Sequence, residues 1–448
     1  MGHWANKYVI GLTGNIAMGK SAVRKILENF GAYTIDADGL AHQTMSPGAP
    51  AYLPVVETFG RWVLDREGRV DRSKLGAVVF SHPEALARLE AITHPVVGQG
   101  IDTLVSRARQ PIIVIEAIKL LEGNLAAQVD TIWVVDATPE LQLQRLVEKR
   151  GMSPLEARKR IEGQNAQRDK LTRANVVITN NGSPQDLWAQ VESEWHKLLN
   201  ALKLARKTDT QSMRPVTPTA APTPTEMALP PLRPTAAPEA TKPRTGTLPS
   251  LPPVHKTGPL PSLEDVTRPK SEPIKTPTPP PQPTPAATVD IRRGMPRNAE
   301  LIAQVLNQML GKHLTRMDVM TAFGEKSYML AEMNGKIMGV TGFQVENLIT
   351  RVDEFLLLPE APIDAIARAL IQAVEDASKE LQSEVGFIYL PLNAPAQIVQ
   401  AFTSSGYERM EIDAIKVPAW RDAAQESQPP NTQIMAKKLR PDRVLKPL

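Results

Sequence analysis

Cysteine is absent from all 448 residues, which excludes disulfides, zinc-thiolate centres and thiol catalysis and fits a reducing compartment. Aromatic residues make up only 4% of the chain. No dense Lys/Arg run interleaves with them as a nucleic-acid surface requires, so no nucleic-acid partner is expected. No uncharged apolar run approaches the ~18 residues of a membrane span. The opening MGHWANKYVI lacks the basic start and apolar core of a signal peptide, and Asn6 stands where a myristoylation signal needs Ser or Thr. The expectation is a soluble, cytoplasmic protein without a membrane partner. A formal charge of +4 and a pI near 9.1 are mildly basic, and an anionic small molecule needs no more than that.

Proline, by contrast, is abundant, with 41 residues, of which 22 fall between Pro215 and Pro285 in a span without Phe, Trp or Tyr. Such a segment cannot bury enough apolar surface to offset its ordering entropy. Residues 206–289 therefore read as a disordered linker of polyproline II character between two folded units, 1–205 and 290–448. Within it, TGTLPSL (Thr245 to Leu251) and TGPLPSL (Thr257 to Leu263) read as low-complexity drift rather than a docking motif.

In the first unit, YVIGL (Tyr8 to Leu12) has the β-rich character of a strand buried in a parallel sheet, and KSAVRKILEN (Lys20 to Asn29) spaces Val23, Ile26 and Leu27 as a helix does. Between them, Gly14, Gly19, Lys20 and Ser21 fit G-x-x-x-x-G-K-[ST]. The glycines let backbone amides approach a phosphate, the lysine adds a cation and the serine hydroxyl suits Mg²⁺. Free N–H groups at the helix start favour the anion further. Strand before and helix after favour this cradle over a chance glycine turn. A second strand, Tyr33 to Ile35, ends in Asp36-Ala37-Asp38. Carboxylates at the carboxyl end of a strand in an open α/β sheet face the ligand crevice, where a phosphoacceptor hydroxyl needs one to orient it and take its proton. A helix cap and turn account for one aspartate but less easily for both.

GLTGNIAMGKS, IDADGLAHQ, ITHPVV (Ile92 to Val97), QNAQRDKL (Gln164 to Leu171) and VVITNNG (Val176 to Gly182), in this order and at these spacings, resemble the dephospho-coenzyme A kinase family over about Tyr8 to Lys203. The resemblance implies a P-loop α/β fold with a parallel sheet and a helical lid. It also implies transfer of the ATP γ-phosphate, with Mg²⁺, to the ribose 3′-hydroxyl of dephospho-CoA, the last step of coenzyme A biosynthesis. Carried over, Asp38 matches the catalytic base, and Lys20 neutralises the transferring phosphate. Ser21 is the metal-holding hydroxyl. Gly14, Ala17, Met18, Gly19, Lys20, Ser21, Ala22, Arg145, Arg168 and Asn181 are the implied ATP contacts, and Asp36, His94 and Glu116 the implied substrate-side residues. Ile112 to Glu122 reads as a strand placing Glu116 where the family usually has Asp. His94 reads as a helix-start or substrate-side residue. Ala137 to Lys170, a helical pair broken at Gly151 to Pro154, resembles the lid that excludes water, with Arg145, Arg150 and Arg168 as phosphate contacts. The sequence departs from the family at Asn15 and Ala17, which replace glycines, at Ala22, which replaces Thr, and at Asn175 and Glu116, which replace Asp.

From Asp290 the pattern is globular again. Ser327 to Val345 reads as a hairpin turning at Asn334-Gly335, followed by a strand (Arg351 to Glu360), a helix with Ile366, Leu370, Ile371 and Val374 on one face, a strand (Val385 to Asn393) and a helix (Ala394 to Ser404). This order resembles the mixed α/β N-acetyltransferase fold to about Val417, with an irregular tail beyond. The positions of that fold's Gly-rich pyrophosphate loop hold Pro362 to Ala367, including Asp364, and the usual acidic tyrosine falls at Phe402. A non-catalytic domain is expected, with CoA or an acyl-CoA as the candidate ligand. Three readings stay open: the dephospho-CoA kinase, another P-loop nucleoside or nucleotide kinase, and a non-catalytic CoA-binding scaffold.

Overall fold

A computed structural model describes residues 3–79, 81–164, 167–212 and 289–444. Most of the proline-rich segment, with both TG-x-LPSL copies, lies outside the described residues. Met1–Arg206 and Ala287–Leu448 form one compact unit. This unit holds two β-sheets.

Its N-terminal part runs β1 (Tyr8–Thr13), α1 (Lys20–Asn29), β2 (Tyr33–Asp36), α2 (Ala37–Thr44), α3 (Tyr52–Phe59), α4 (Arg72–Val79), α5 (Pro83–Arg107), β3 (Ile112–Glu116), β4 (Thr131–Asp136), α6 (Pro139–Arg150), α7 (Pro154–Glu162), α8 (Gln167–Thr172), β5 (Val176–Thr179) and α9 (Pro184–Ser212). The strands form a parallel sheet in the order β2-β3-β1-β4-β5. β3, IIVIE, is buried throughout, as a strand covered on both faces must be. It stops at Glu116, six residues short of the expected end, because its pairing with β1 ends at Leu12↔Glu116. The chain then turns over the carboxyl edge where β1 and β2 also end. That edge holds the phosphate loop and the Asp36-Ala37-Asp38 corner, the arrangement of a P-loop fold.

The C-terminal part comprises β6 (Asp290–Arg293), α10 (Ala299–Leu310), α11 (Arg316–Ala322), β7 (Ser327–Met333), β8 (Lys336–Glu346), β9 (Ile349–Leu357), α12 (Ile363–Glu380), β10 (Val385–Pro391), α13 (Ala396–Ser404), β11 (Glu408–Met410), α14 (Pro418–Ser427) and β12 (Thr432–Lys438). The sheet order is β11-β12-β10-β9-β8-β7-β6. Only β9 and β10 pair in parallel, from Ile349↔Val385 to Val352↔Ile388. Asn334-Gly335 turns the first hairpin with both residues at positive φ, as a two-residue hairpin turn requires. The stretch after Val417, expected to be irregular, instead supplies α14 and β12, and β12 pairs antiparallel with both β10 and β11. Its TQIMAKK buries three consecutive residues, Ile434, Met435 and Ala436, an apolar run too short to stand out without the neighbouring strands.

These two parts share their cores. One cluster joins Ile35, Leu40, Ile101 and Leu104 to Phe343, Leu348, Leu370 and Leu381. Another joins Ile26, Leu27, Trp188 and Trp195 to Leu306, Val319, Phe323 and Tyr328. Polar bonds stitch the seam: Ser327 Oγ donates to Asn29 Oδ1 at 2.9 Å, Arg293 to the Glu28 carbonyl at 3.1 Å and Gln382 to the Leu104 carbonyl at 2.7 Å. Arg69 pairs with Asp422 at 2.7 Å and Arg107 with Asp442 at 2.9 Å. Among the described residues no helix is long and apolar enough to cross a membrane.

Candidate active site

The phosphate loop is shaped by close approach. Gly14 sits at φ +147°, and a Cβ there would lie 2.5 Å from the Val135 carbonyl oxygen. Gly19 sits at φ +99°, with the space for a Cβ taken by Asn180 Nδ2. Ala17 also lies in the left-handed region at φ +58°, a strain of about 1 kcal/mol for a residue with a Cβ. Lys20, at the first position of α1, is buried and donates to the Asn15 carbonyl at 3.2 Å.

Acidic groups gather at the same edge. Asp36 caps α2, accepting from the Gly39 amide at 2.9 Å. Asp38 Oδ2 accepts from the Ile118 amide at 3.0 Å. Burial pushes the Asp38 carboxyl up to about 6, with Asp36 and Glu116 adding to the rise while the Ile118 amide and Lys20 oppose it. Burial lowers the Lys20 ammonium, against the pull of Glu116, Asp38 and Asp36. Glu116 accepts from Ser21 Oγ at 3.1 Å and from Arg24 Nε at 2.7 Å. Burial opposes the Arg24 charge, but Glu116, Asp36 and Glu346 hold its pKa above the usual range.

Over the loop lie α6 to α8. Arg145 donates to the carbonyls of Ala17, Met18 and Asn180, the last at 2.8 Å. Burial lowers its pKa. Asn15 and Ile16 amides donate to the side-chain oxygens of Gln167 and Gln164, at 3.0 and 2.8 Å. A cavity of about 420 Å³ opens beside the loop; Ala17, Gly19, Lys20, Ser21, Ala22, Arg145, Lys149, Arg150 and Asn180 are among its lining residues.

Most of the expected residues therefore meet at one place, with four exceptions. Met18 is buried and reaches the loop's partners only through its carbonyl, which accepts from Asn180 Nδ2 at 2.9 Å. Asn181 accepts from the Thr138 amide, so of the two asparagines it is Asn180 that touches the loop. Arg168 is exposed on α8 and does not line the cavity. His94 is exposed in the interior of α5, not at a helix start; the helix continues through Pro95, which removes one backbone donor without ending it. Sequence reading passed over Arg24 and gave Gln164, Gln167 and Lys170, all within QNAQRDKL, no individual role. Lys170 is buried and donates to the Ile118 carbonyl at 2.7 Å, holding the residue whose amide binds Asp38. Its sequence signal is its place in QNAQRDKL, two residues after the expected lid arginine Arg168.

The sequence matches the dephospho-CoA kinase family profile over residues 8–186. It is similar to the dephospho-CoA kinase of Geobacter sulfurreducens, 40% identical over 192 residues, covering 42% of this chain and 98% of the relative. To that of Thermobifida fusca it is 41% identical over 194 residues, covering 43% and 97%. Among solved structures, a putative acetyltransferase from Salmonella typhimurium with its cofactor acetyl-CoA is similar at 11% identity and TM-score 0.28, over 35% of this chain and 98% of that one. With relatives of this identity matched over almost their whole length, the chain belongs to the dephospho-CoA kinase family.

Proposed function

We infer that this chain transfers the γ-phosphate of ATP to the ribose 3′-hydroxyl of dephospho-CoA, giving coenzyme A and ADP, the final step of coenzyme A biosynthesis. The observation that carries the reading is Asp38: a half-buried carboxylate with its pKa raised to about 6, at the same sheet edge as the phosphate loop. A base poised near the working pH takes a proton most effectively. The acceptor hydroxyl gives its proton to Asp38 as its oxygen bonds to the γ-phosphorus. The bond from phosphorus to the bridging oxygen breaks, and its electron pair leaves with ADP. Lys20 and the cavity-lining Arg145, Lys149 and Arg150 balance charge on the phosphoryl oxygens. The α6–α8 lid excludes water, so that the phosphate goes to the acceptor.

Mg²⁺ fits the donors present. The Ser21 hydroxyl beside Glu116 offers hard oxygens, the donors Mg²⁺ prefers. Ser21 would hold it, and when bound it supplies charge neutralisation at the β- and γ-phosphates. Asp36, 2.9 Å from the Gly39 amide, shapes the acceptor side together with Glu116.

The C-terminal part carries a second cavity, of about 360 Å³, at the start of α12. Asp364 lines it, paired with Arg368 at 2.8 Å, so its charge is offset. Phe402 is buried in ring contact with Phe355 at 4.8 Å. We assign this cavity to CoA or an acyl-CoA as ligand and not as an acetyl donor. Calorimetric titration of the full chain with CoA tests it, and the absence of heat at millimolar CoA overturns it.

The kinase reading is tested by ADP release with Mg-ATP, with and without dephospho-CoA, and by product mass. Release that depends on dephospho-CoA and adds one phosphate is expected. Release only with another nucleoside or nucleotide moves the assignment to that acceptor, and silence with every acceptor leaves a scaffold.

A further inference from the structure

The nucleotide cavity is not built by the kinase part alone. Met320, Thr321, Gly324 and Glu325, from the end of α11 and the turn into β7, also line it. All four lie outside the residues that match the family. We propose that this segment is the outer wall of the pocket for the ATP nucleoside, so that the C-terminal part sets nucleotide affinity directly. The proposal rests on the reading of the site as ATP-dependent.

ATP joins an anionic tail to a flat, largely apolar base. The lining cations Lys20, Arg145, Lys149 and Arg150 suit the tail, which leaves the apolar Pro184, Leu187, Trp188 and Met320 for the base. Among the described residues, Glu325 is the one carboxylate in the lining. It is exposed and available to accept from a ribose hydroxyl or an exocyclic amino group.

The wall is held in place rather than loosely apposed. Phe323 is fully buried and meets Trp188 edge-on at 5.6 Å and Tyr328 at 5.5 Å. A Cβ on Gly324 would lie 3.3 Å from Ala22 Cβ, in the first turn of α1. Only residues as small as glycine and alanine allow that approach, which gives Ala22 a reason in this chain. Arg316 donates to Gln185 at 2.7 Å, tying α11 to the first turn of α9.

Two substitutions on the full chain test the wall. Thr321→Tyr, at an exposed lining position, fills the nucleoside end; Glu325→Gln removes only the charge. Calorimetric titration with ADP is expected to weaken by about tenfold in Thr321→Tyr and about threefold in Glu325→Gln. The KM for ATP should rise in parallel, with the KM for dephospho-CoA and the melting temperature unchanged. A structural disturbance would instead move the melting temperature and both KM values together, and that result, or ADP affinity unchanged in both variants, overturns the proposal. If Thr321→Tyr does not fold, Glu325→Gln decides. If the unaltered chain shows no turnover with dephospho-CoA, the kinase reading fails by itself, and the ADP titrations still judge the wall.

Discussion

The carboxyl of Asp38 gives the kinase mechanism its sharpest test, because its displaced pKa predicts the shape of a pH profile. Its rise from the ordinary 3.8 to about 6 corresponds to roughly 3 kcal/mol of preference for the neutral form. The base is therefore about nine-tenths ionised at pH 7 and about one-tenth at pH 5, and kcat should fall about tenfold per unit below pH 6. The direction follows from the role: the ionised form accepts the proton, so activity is lost as pH falls through the raised pKa. Phosphate groups of the substrates also titrate near pH 6, so the limb must be traced to its owner. Asp36→Asn does this, since asparagine keeps the cap on the Gly39 amide and removes a charge that raises Asp38. The acidic limb should move to lower pH, whereas a limb belonging to ATP would stay. Asp38→Asn should lower kcat by ~10²–10⁴ with ADP affinity retained. Rates of ADP release between pH 5 and 8 provide the measurement. A flat profile, or an Asp38→Asn enzyme with full turnover, refutes Asp38 as the base.

Other consequences concern the frame around that group. Arg24→Met leaves Glu116, only 5% exposed, without its cation and should cost about 3–5 kcal/mol in urea unfolding; a cost below ~1 kcal/mol would mean the pair adds little. Gly19→Ala places a methyl against Asn180 Nδ2 at a positive φ and should destabilise by roughly 1–3 kcal/mol while abolishing tight ADP binding. Unchanged calorimetry would contradict the loop geometry. Phe323→Ala empties a fully buried aromatic site between Trp188 and Tyr328, a loss of about 3–5 kcal/mol that thermal melting reads directly.

Local chemistry was legible in the sequence, whereas long-range packing was not. The phosphate loop is readable because strand, glycines, lysine and helix are contiguous, and the turn at Asn334-Gly335 because those residues tolerate positive φ. Glu116 was placed at the site, but its partner Arg24 lies 92 residues away in sequence, and no local pattern pairs them. The turn at Asn347-Leu348 was equally hidden. Both residues take positive φ, Leu348 against its preference, and they do so because Leu348 is buried in the shared core while the Asn347 carbonyl accepts from Gln43. Tertiary contact overrides local preference there. The strand after Val417 escaped for the same reason, since β12 is specified by two partner strands rather than by its own seven residues.

That hidden packing has a consequence for what the kinase part does alone. The Geobacter relative is matched over 98% of its length by 42% of this chain, so a kinase of that size needs no further part in order to exist. In this chain, however, Leu104 and Val105 on α5 and Trp188 and Trp195 on α9 share clusters with residues of the C-terminal part, and they are buried. Cutting the chain after residue 206 would expose parts of both clusters at once, and contiguous apolar surface of that kind drives association. The hairpin residues Val345, Asn347 and Leu348 also border the space around Asp36, so the cut admits water to the acidic corner. Since burial is the largest cause of the raised Asp38 pKa, the truncated chain should melt lower, self-associate in sedimentation, and show its acidic limb at lower pH than the full chain. A truncated chain that stays monomeric, melts with the full one and keeps its pH profile would mean that the shared core is dispensable to the kinase.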